Sequence, residues 1–275
     1  MAAAVYRIAI LFHETDQHID LSGYSITQLA PHWERDGHEV FPIFGIQEFV
    51  PADLVIVHVD LSVVPEEYLA FARRYPIALN SKVRDIRKST FSTNLVRPGD
   101  DWRGPVIVKS ELNYAGHPEM ARGVPRLDGK GPFPIFQSTL DYKVFDRIED
   151  VPDEDFESPE LVVERFLPEM EDGLFHVRLY QFLGDQHSCM RLGANEPIVK
   201  SGNKVFSESV APHPDIIEMR RKLHFDYGKF DYVIHQGQAI LLDLNKTTGT
   251  APQATPQIEA NRRITAQGLY SYFQA

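Results

Sequence analysis

Residues 229–245, KFDYVIHQGQAILLDLN, concentrate hard oxygen donors at the open end of what reads as a β-hairpin. Two apolar-rich strands, 229–234 and 239–244, flank a Gln236–Gly237 turn. Asp243 and Asn245 are two residues apart, so both point to one face, and the turn brings Asp231 opposite them. Two carboxylates and an amide oxygen suit Mg²⁺, a hard cation that keeps waters and substrate phosphates as further ligands. The same residues also fit ordinary polar positions at a hairpin end, and spacing alone does not separate the two.

Lys109 closes the short apolar strand PVIVK, where a lysine either enters a cleft as a point charge for phosphate or snorkels to the surface. Residues 161–166, LVVERF, form a strand that runs through Leu167 into Pro168. A strand edge ending in a proline turn offers the backbone amides and carbonyls that an adenine requires. Residues 82–91 carry Lys82, Arg84, Arg87 and Lys88 against Asp85 alone, a basic stretch in an acidic chain. His117, His213 and His224 lack metal-ligand spacing. Trp33 and Trp102 read as packing residues, and Cys189 as a buried thiol.

The elements that must hold these residues alternate in the first 80 positions. Strands are expected at 7–12, 39–44, 53–59 and 77–80, with helices at 24–36 and 65–75. Continuous rather than alternating apolar strands predict a parallel sheet covered on both faces. No glycine-rich dinucleotide fingerprint follows the first strand, which disfavours an NAD-binding domain. Residues 113–134, rich in glycine and proline, read as a long lid loop, and 149–160, with seven acids and no base, as a solvated loop. Beyond 160 the pattern is antiparallel: a hairpin of 175–183 with 188–192, a helix at 212–227, the 229–244 hairpin and a closing helix at 256–273. The chain is long enough for about two domains or lobes. With a net charge of −11 it lacks the basic footprint of a nucleic-acid binder. One cysteine excludes an internal disulfide and a cysteine-based zinc site. No apolar run suggests a signal peptide or a membrane span, so a cytoplasmic location is expected.

Taken in order, these pieces resemble the ATP-grasp superfamily of the carboxylate–amine ligase type. The motifs span roughly residues 77–250, and the first 80 residues match the usual preceding α/β domain in type. The resemblance implies an α/β fold, α+β in its C-terminal part. A parallel-sheet domain (1–80) would precede a small lobe with a glycine-rich lid (81–160) and a large lobe with the metal site (161–275). It implies ATP contacts for Lys88 and Lys109, an adenine-amino acceptor in Glu164, and an adenine slot along the Arg165, Phe166 and Leu167 backbone. Glu171 fits the ribose position, with Glu169 and Asp172 as competitors. Asp231, Asp243 and Asn245 match the metal ligands. Lys229, Arg178 and Arg191 match basic catalytic positions facing the phosphates or the acyl intermediate. The second metal ligand is Asp243 where the family most often has glutamate, a side chain one methylene shorter.

The activity implied is Mg²⁺- and ATP-dependent joining of a carboxylate to an amine through an acyl phosphate, releasing ADP and phosphate. Closure of the loop around Gly116 to Gly131, which holds Lys130, would keep water from the intermediate. Small-molecule acids and amines are the expected partners, and a homo-oligomer is left open. Ligands of parallel sheets bind beyond the carboxyl ends of strands. Glu14 and Asp60 are therefore candidates for a substrate ammonium group, and His13 or His58 for its orientation. A phosphotransferase of the same fold and a non-catalytic ATP-binding module are the alternative functions.

Overall fold

The computed structural model describes residues 4–127, 129, 136, 138–250 and 255–273. Its first sheet is built by β1 (Arg7–Phe12), β2 (Glu39–Phe44), β3 (Leu54–Val57) and β4 (Ile77–Leu79), all parallel in the order β2-β1-β3-β4. Every residue of β3 is buried, as its unbroken apolar run requires. Alternate side chains of β1 and β3 serve two cores. Ile8, Ile10 and Phe12 meet Ile26, Leu29 and Trp33 of α1 (Ser25–Arg35). Ala9, Leu11, Val55 and Val57 meet Tyr68, Leu69 and Phe71 of α2 (Glu66–Ala72).

A second, antiparallel sheet has the order β6-β5-β7, with β5 at Val106–Ser110, β6 at Lys143–Phe145 and β7 at Leu161–Arg165. Because β7 pairs along its whole length with β5, it belongs to the small lobe, and a boundary at residue 161 would cut this sheet. Of the basic stretch, only α3 (Lys88–Phe91) is helical, and Arg87 is tied to Asp85 at 2.6 Å. The expected lid loop begins instead with a tight turn at 113–116 and α4 (His117–Ala121). Lys130 and Gly131 lie outside the described residues. Most of the acidic stretch forms α5 (Asp153–Glu157) and its flanks.

The large lobe is a six-stranded antiparallel sheet. Its path is β11-β10-β9-β12-β13, formed by β9 (Leu174–Leu183), β10 (Gln186–Ala194), β11 (Phe206–Ser209), β12 (Tyr227–His235) and β13 (Gln238–Asn245). The short strand β8 (Glu169–Glu171) pairs with β9. Neither β8 nor β11 is apolar enough to be expected from the sequence. One face is covered by α6 (Pro214–Lys222), whose Ile216 enters a core with Tyr180, Phe182, Phe230 and Tyr232.

The closing helix, α7 (Pro256–Gln267), also serves the first domain. Ala266 and Leu269 join the α1 core, and Trp33 Nε1 donates to the Ala266 carbonyl at 2.9 Å. At the end of β4, Asn80 is fully buried with φ 58°. Its side-chain oxygen accepts from the Asp226 amide at 2.9 Å, and its Nδ2 donates to the Tyr227 carbonyl at 2.8 Å. Parallel sheet and large lobe are thereby joined at β12. Among the described residues no helix is long and apolar enough to cross a membrane.

Candidate functional site

A cleft runs between the small and large sheets, and strand parity decides which side chains enter it. In the β5–β7 ladder, Ile107 lies opposite Glu164 and Lys109 opposite Val162, so Lys109 and Glu164 share a face. Val106, Val108 and Val163 point the other way, into the small-lobe core. Lys109 forms an ion pair with Glu164 and donates to the Leu242 carbonyl of β13 at 3.2 Å. Glu164 is 2% exposed, and its Oε1 has no hydrogen-bond partner.

Lys88 opens α3 and is buried. The Glu111 carboxylate holds that turn, accepting from the Ser89 amide at 3.0 Å and from the Ser89 hydroxyl. Lys88 Nζ donates to the Leu112 carbonyl at 3.3 Å and stands 3.5 Å from Asp243 Oδ1.

On the large sheet, β12 and β13 pair Lys229 with Asn245 and Asp231 with Asp243, and a register shift follows Asp231. Directly opposed antiparallel residues share a face, so the four side chains form one polar patch on the cleft side. Lys229 Nζ lies 2.9 Å from Asp231 Oδ1 but donates to Oδ2 at 3.3 Å, leaving Oδ1 without an aligned donor. Asp243 Oδ1 is likewise buried without a hydrogen bond. Asn245 Oδ1 accepts from the Thr247 amide at 2.9 Å, which takes one of its two lone pairs.

These bare carboxylate oxygens beside an amide oxygen fit a hard cation with an incomplete protein shell. Among the described residues no three His, Cys, Asp or Glu side chains form a metal cluster; this set has two carboxylates and an amide.

Lys200, from the loop after β10, also lines the cleft, and no spacing rule pointed to it. Burial pulls its pKa below the ordinary lysine value, although Asp231 and Asp243 act against that and Lys229 and Lys88 reinforce it. Burial alone would push the Asp243 carboxyl up, but Lys88, Lys200, Lys109 and Lys229 together hold it below the usual range. Burial would likewise depress Lys88 and Lys229, but Asp243 and Asp231 respectively lead the charges that raise both above the lysine norm. Four ammonium groups thus face three carboxylates, Asp231, Asp243 and Glu164, an excess of positive charge that favours one further negative group.

The segment expected to form an adenine slot lines the same cleft from Glu164 to Pro168. The Arg165 and Phe166 amides already donate to the Asn94 and Pro105 carbonyls, at 2.8 and 2.9 Å.

Other expected residues do not reach the cleft. Arg178 pairs with Arg191 across β9–β10 and with Tyr232 of β12, whereas Asp231 pairs with Leu179. Both arginines therefore occupy the face opposite Asp231 and Asp243. Glu169 occupies them there, 2.8 Å from Arg178 Nη2 and 3.0 Å from Arg191 Nε. Glu171 is tied to Arg191 at the β8 hairpin and does not line the cleft.

At the first domain, His58 is fully buried between the rings of Phe12, Tyr24 and Tyr227, so it cannot orient a substrate. Asp60 is engaged by Thr247 and by Tyr24 OH, the latter at 2.7 Å. Only Glu14 of this trio is exposed, with a hydrogen bond from Gln47 at 3.0 Å.

No family model and no curated protein matches the chain by sequence. Solved structures match it in fold. D-alanyl-alanine synthetase A from Vibrio cholerae O1 biovar eltor shares 13% identity over 100% of this chain and 98% of its own, with a TM-score of 0.52. D-alanine–D-alanine ligase from Bacillus anthracis shares 12% over 98% and 97%, with a TM-score of 0.49. A Chryseobacterium gregarium RiPP-associated ATP-grasp ligase, solved with ADP and a leader and core peptide, shares 11% over 98% and 97%, at 0.48. The lobes, their sheet orders and the cleft between them, together with the first of these likenesses, define the class: the chain has the ATP-grasp fold.

Proposed function

We propose that the protein is a Mg²⁺- and ATP-dependent ligase that joins a carboxylate to an amine through an acyl phosphate. The observation that carries this reading is the convergence of Lys88, Lys109, Lys200 and Lys229 on Asp231 and Asp243 in one cleft. Lys88 and Lys109 hold the nucleotide phosphates, and Lys200 and Lys229 neutralise the group being transferred. Glu164, whose Oε1 has no hydrogen-bond partner, accepts from the adenine amino group. Asp231, Asp243 and Asn245 would hold Mg²⁺, which supplies charge neutralisation on the phosphates when bound.

In the first step a substrate carboxylate oxygen bonds to the γ-phosphorus as the bond to the ADP oxygen breaks. The amine then attacks the acyl carbon, phosphate leaves, and the amine nitrogen loses a proton. Both steps call for positioned charge more than for covalent help from the protein, in keeping with a site built from lysines rather than nucleophiles.

Thermal unfolding with Mg²⁺ and a non-hydrolysable ATP analogue tests the nucleotide site. At 100 times its dissociation constant the ligand adds about 2.7 kcal/mol, which the Asp231→Asn/Asn245→Ala double variant loses. Acid–amine pairs are then screened for amine-dependent phosphate release. Absence of a wild-type shift rejects the site, and phosphate retained on the acceptor makes the protein a phosphotransferase instead.

A further inference from the structure

Three parts of the chain meet on Asp60, just beyond β3. Thr247, two residues past β13, donates its hydroxyl to Asp60 Oδ1. Tyr24 OH donates to Oδ2 at 2.7 Å, and Arg122, just past α4, brings Nη1 to 3.7 Å from the same oxygen. Arg122 Nη2 also stands 2.8 Å from Asp16 Oδ1 and 3.1 Å from Tyr24 OH. The Arg122 and Asp16 side chains are 2% and 1% exposed and that of Asp60 12%, so this charge cluster is largely shielded from water. From Thr247 the path continues to the cleft, because its amide donates to Asn245 Oδ1.

This path bears on what Asn245 can do. A carboxamide carries an oxygen and an NH₂ on a fork of nearly equal arms, and only the oxygen can ligate a cation. The Thr247 amide fixes which arm is oxygen and leaves a second lone pair free. Thr247 is itself 4% exposed, and its hydroxyl would be costly to bury without the Asp60 acceptor. Asp60 in turn needs Arg122 and Tyr24, since a buried carboxylate without partners is strongly unfavourable.

We propose that Asp60, Arg122 and Thr247 are positioning residues for Asn245, so that the first domain sets the orientation of a metal ligand in the large lobe. The proposal rests on the Mg²⁺–nucleotide reading above. It turns Asp60 from a substrate contact into a part of the metal site's support.

The test is a Mg²⁺ titration of the thermal shift at fixed ADP, for wild type, Thr247→Val, Thr247→Ser and Asp60→Asn. Loss of an outer support lowers metal affinity roughly 10- to 100-fold, so Thr247→Val and Asp60→Asn should need at least about tenfold more Mg²⁺. Metal-free ADP binding should be unchanged in both. Thr247→Ser, which keeps the hydroxyl, should restore the wild-type requirement. Wild-type protein that ignores Mg²⁺ sinks the nucleotide reading itself. A normal wild-type response shared by Thr247→Val and Asp60→Asn overturns the positioning role alone, and so does an equal loss of metal-free binding. Should Thr247→Val fail to fold, Asp60→Asn decides.

Discussion

His58 keeps both ring nitrogens buried and without a hydrogen bond, caged by Phe12, Tyr24 and Tyr227. Burial lowers its pKa to about 4, outweighing the nearby Asp60 charge. Between the ordinary value of 6.5 and about 4, the unfolded chain takes up a proton that the native state refuses. Stability present above pH 6.5 is therefore lost as pH falls through that window, by up to about 3 kcal/mol. Urea unfolding at pH 7 and pH 5 should show a loss in wild type about 2 kcal/mol greater than in His58→Phe, whose ring suits the apolar cage. Equal losses would mean that His58 is protonated in the native state. Histidine at a strand end reads from sequence as a reactive group, and only the three rings packed on it reveal a core residue. Lys200 shows the converse: it sits in a loop without periodicity, and only its place in the cleft beside Asp231 and Asp243 singles it out.

Most strands were legible as elements, but the short β6, β8 and β11 were not, and neither were the faces that the strands present. Arg178 and Arg191 do lie on paired strands, yet the face follows from register against β12, where Tyr232 and not Asp231 stands opposite Arg178. The pairing of Asp231 with Asp243 was readable because both lie within one hairpin, where a local turn sets the register. Closer approach between elements occurs at Gly268, after α7. A Cβ there would run into the Leu183 carbonyl of β9, and one at Gly184 would meet Gly268 itself. Backbone against backbone leaves no flexible side chain to give way. Gly268→Ala should destabilise the protein by about 1–3 kcal/mol, as overpacking of a close contact does, seen as a lower urea midpoint. An unchanged midpoint would show that the α7 end can shift away from β9.

The whole molecule has two tryptophans, which report on separate lobes: Trp33 in the first domain and Trp102 against the small-lobe core. The lobes are stitched by buried links, including Asn80 to Tyr227, Trp33 to Ala266 and Lys246 Nζ to the Leu61 carbonyl. Such links predict one cooperative transition. In Trp102→Phe and in Trp33→Phe, fluorescence of the remaining tryptophan should lose its folded signal at the same denaturant concentration as far-ultraviolet circular dichroism. Separate midpoints in either variant would mean that the lobes unfold independently. The alternation of strands and helices revealed the parallel sheet, whereas the partner of α1 was hidden more than 200 positions away. That separation has a consequence for synthesis. A ribosome makes β1 through β4 first and α1 can then cover Ile8, Ile10 and Phe12, but the part of that core completed by Ala266 and Leu269, the Trp33 side included, stays open until those residues have left the exit tunnel. For most of translation the nascent chain must therefore carry an exposed apolar surface, which chaperones bind and which invites aggregation when synthesis stalls.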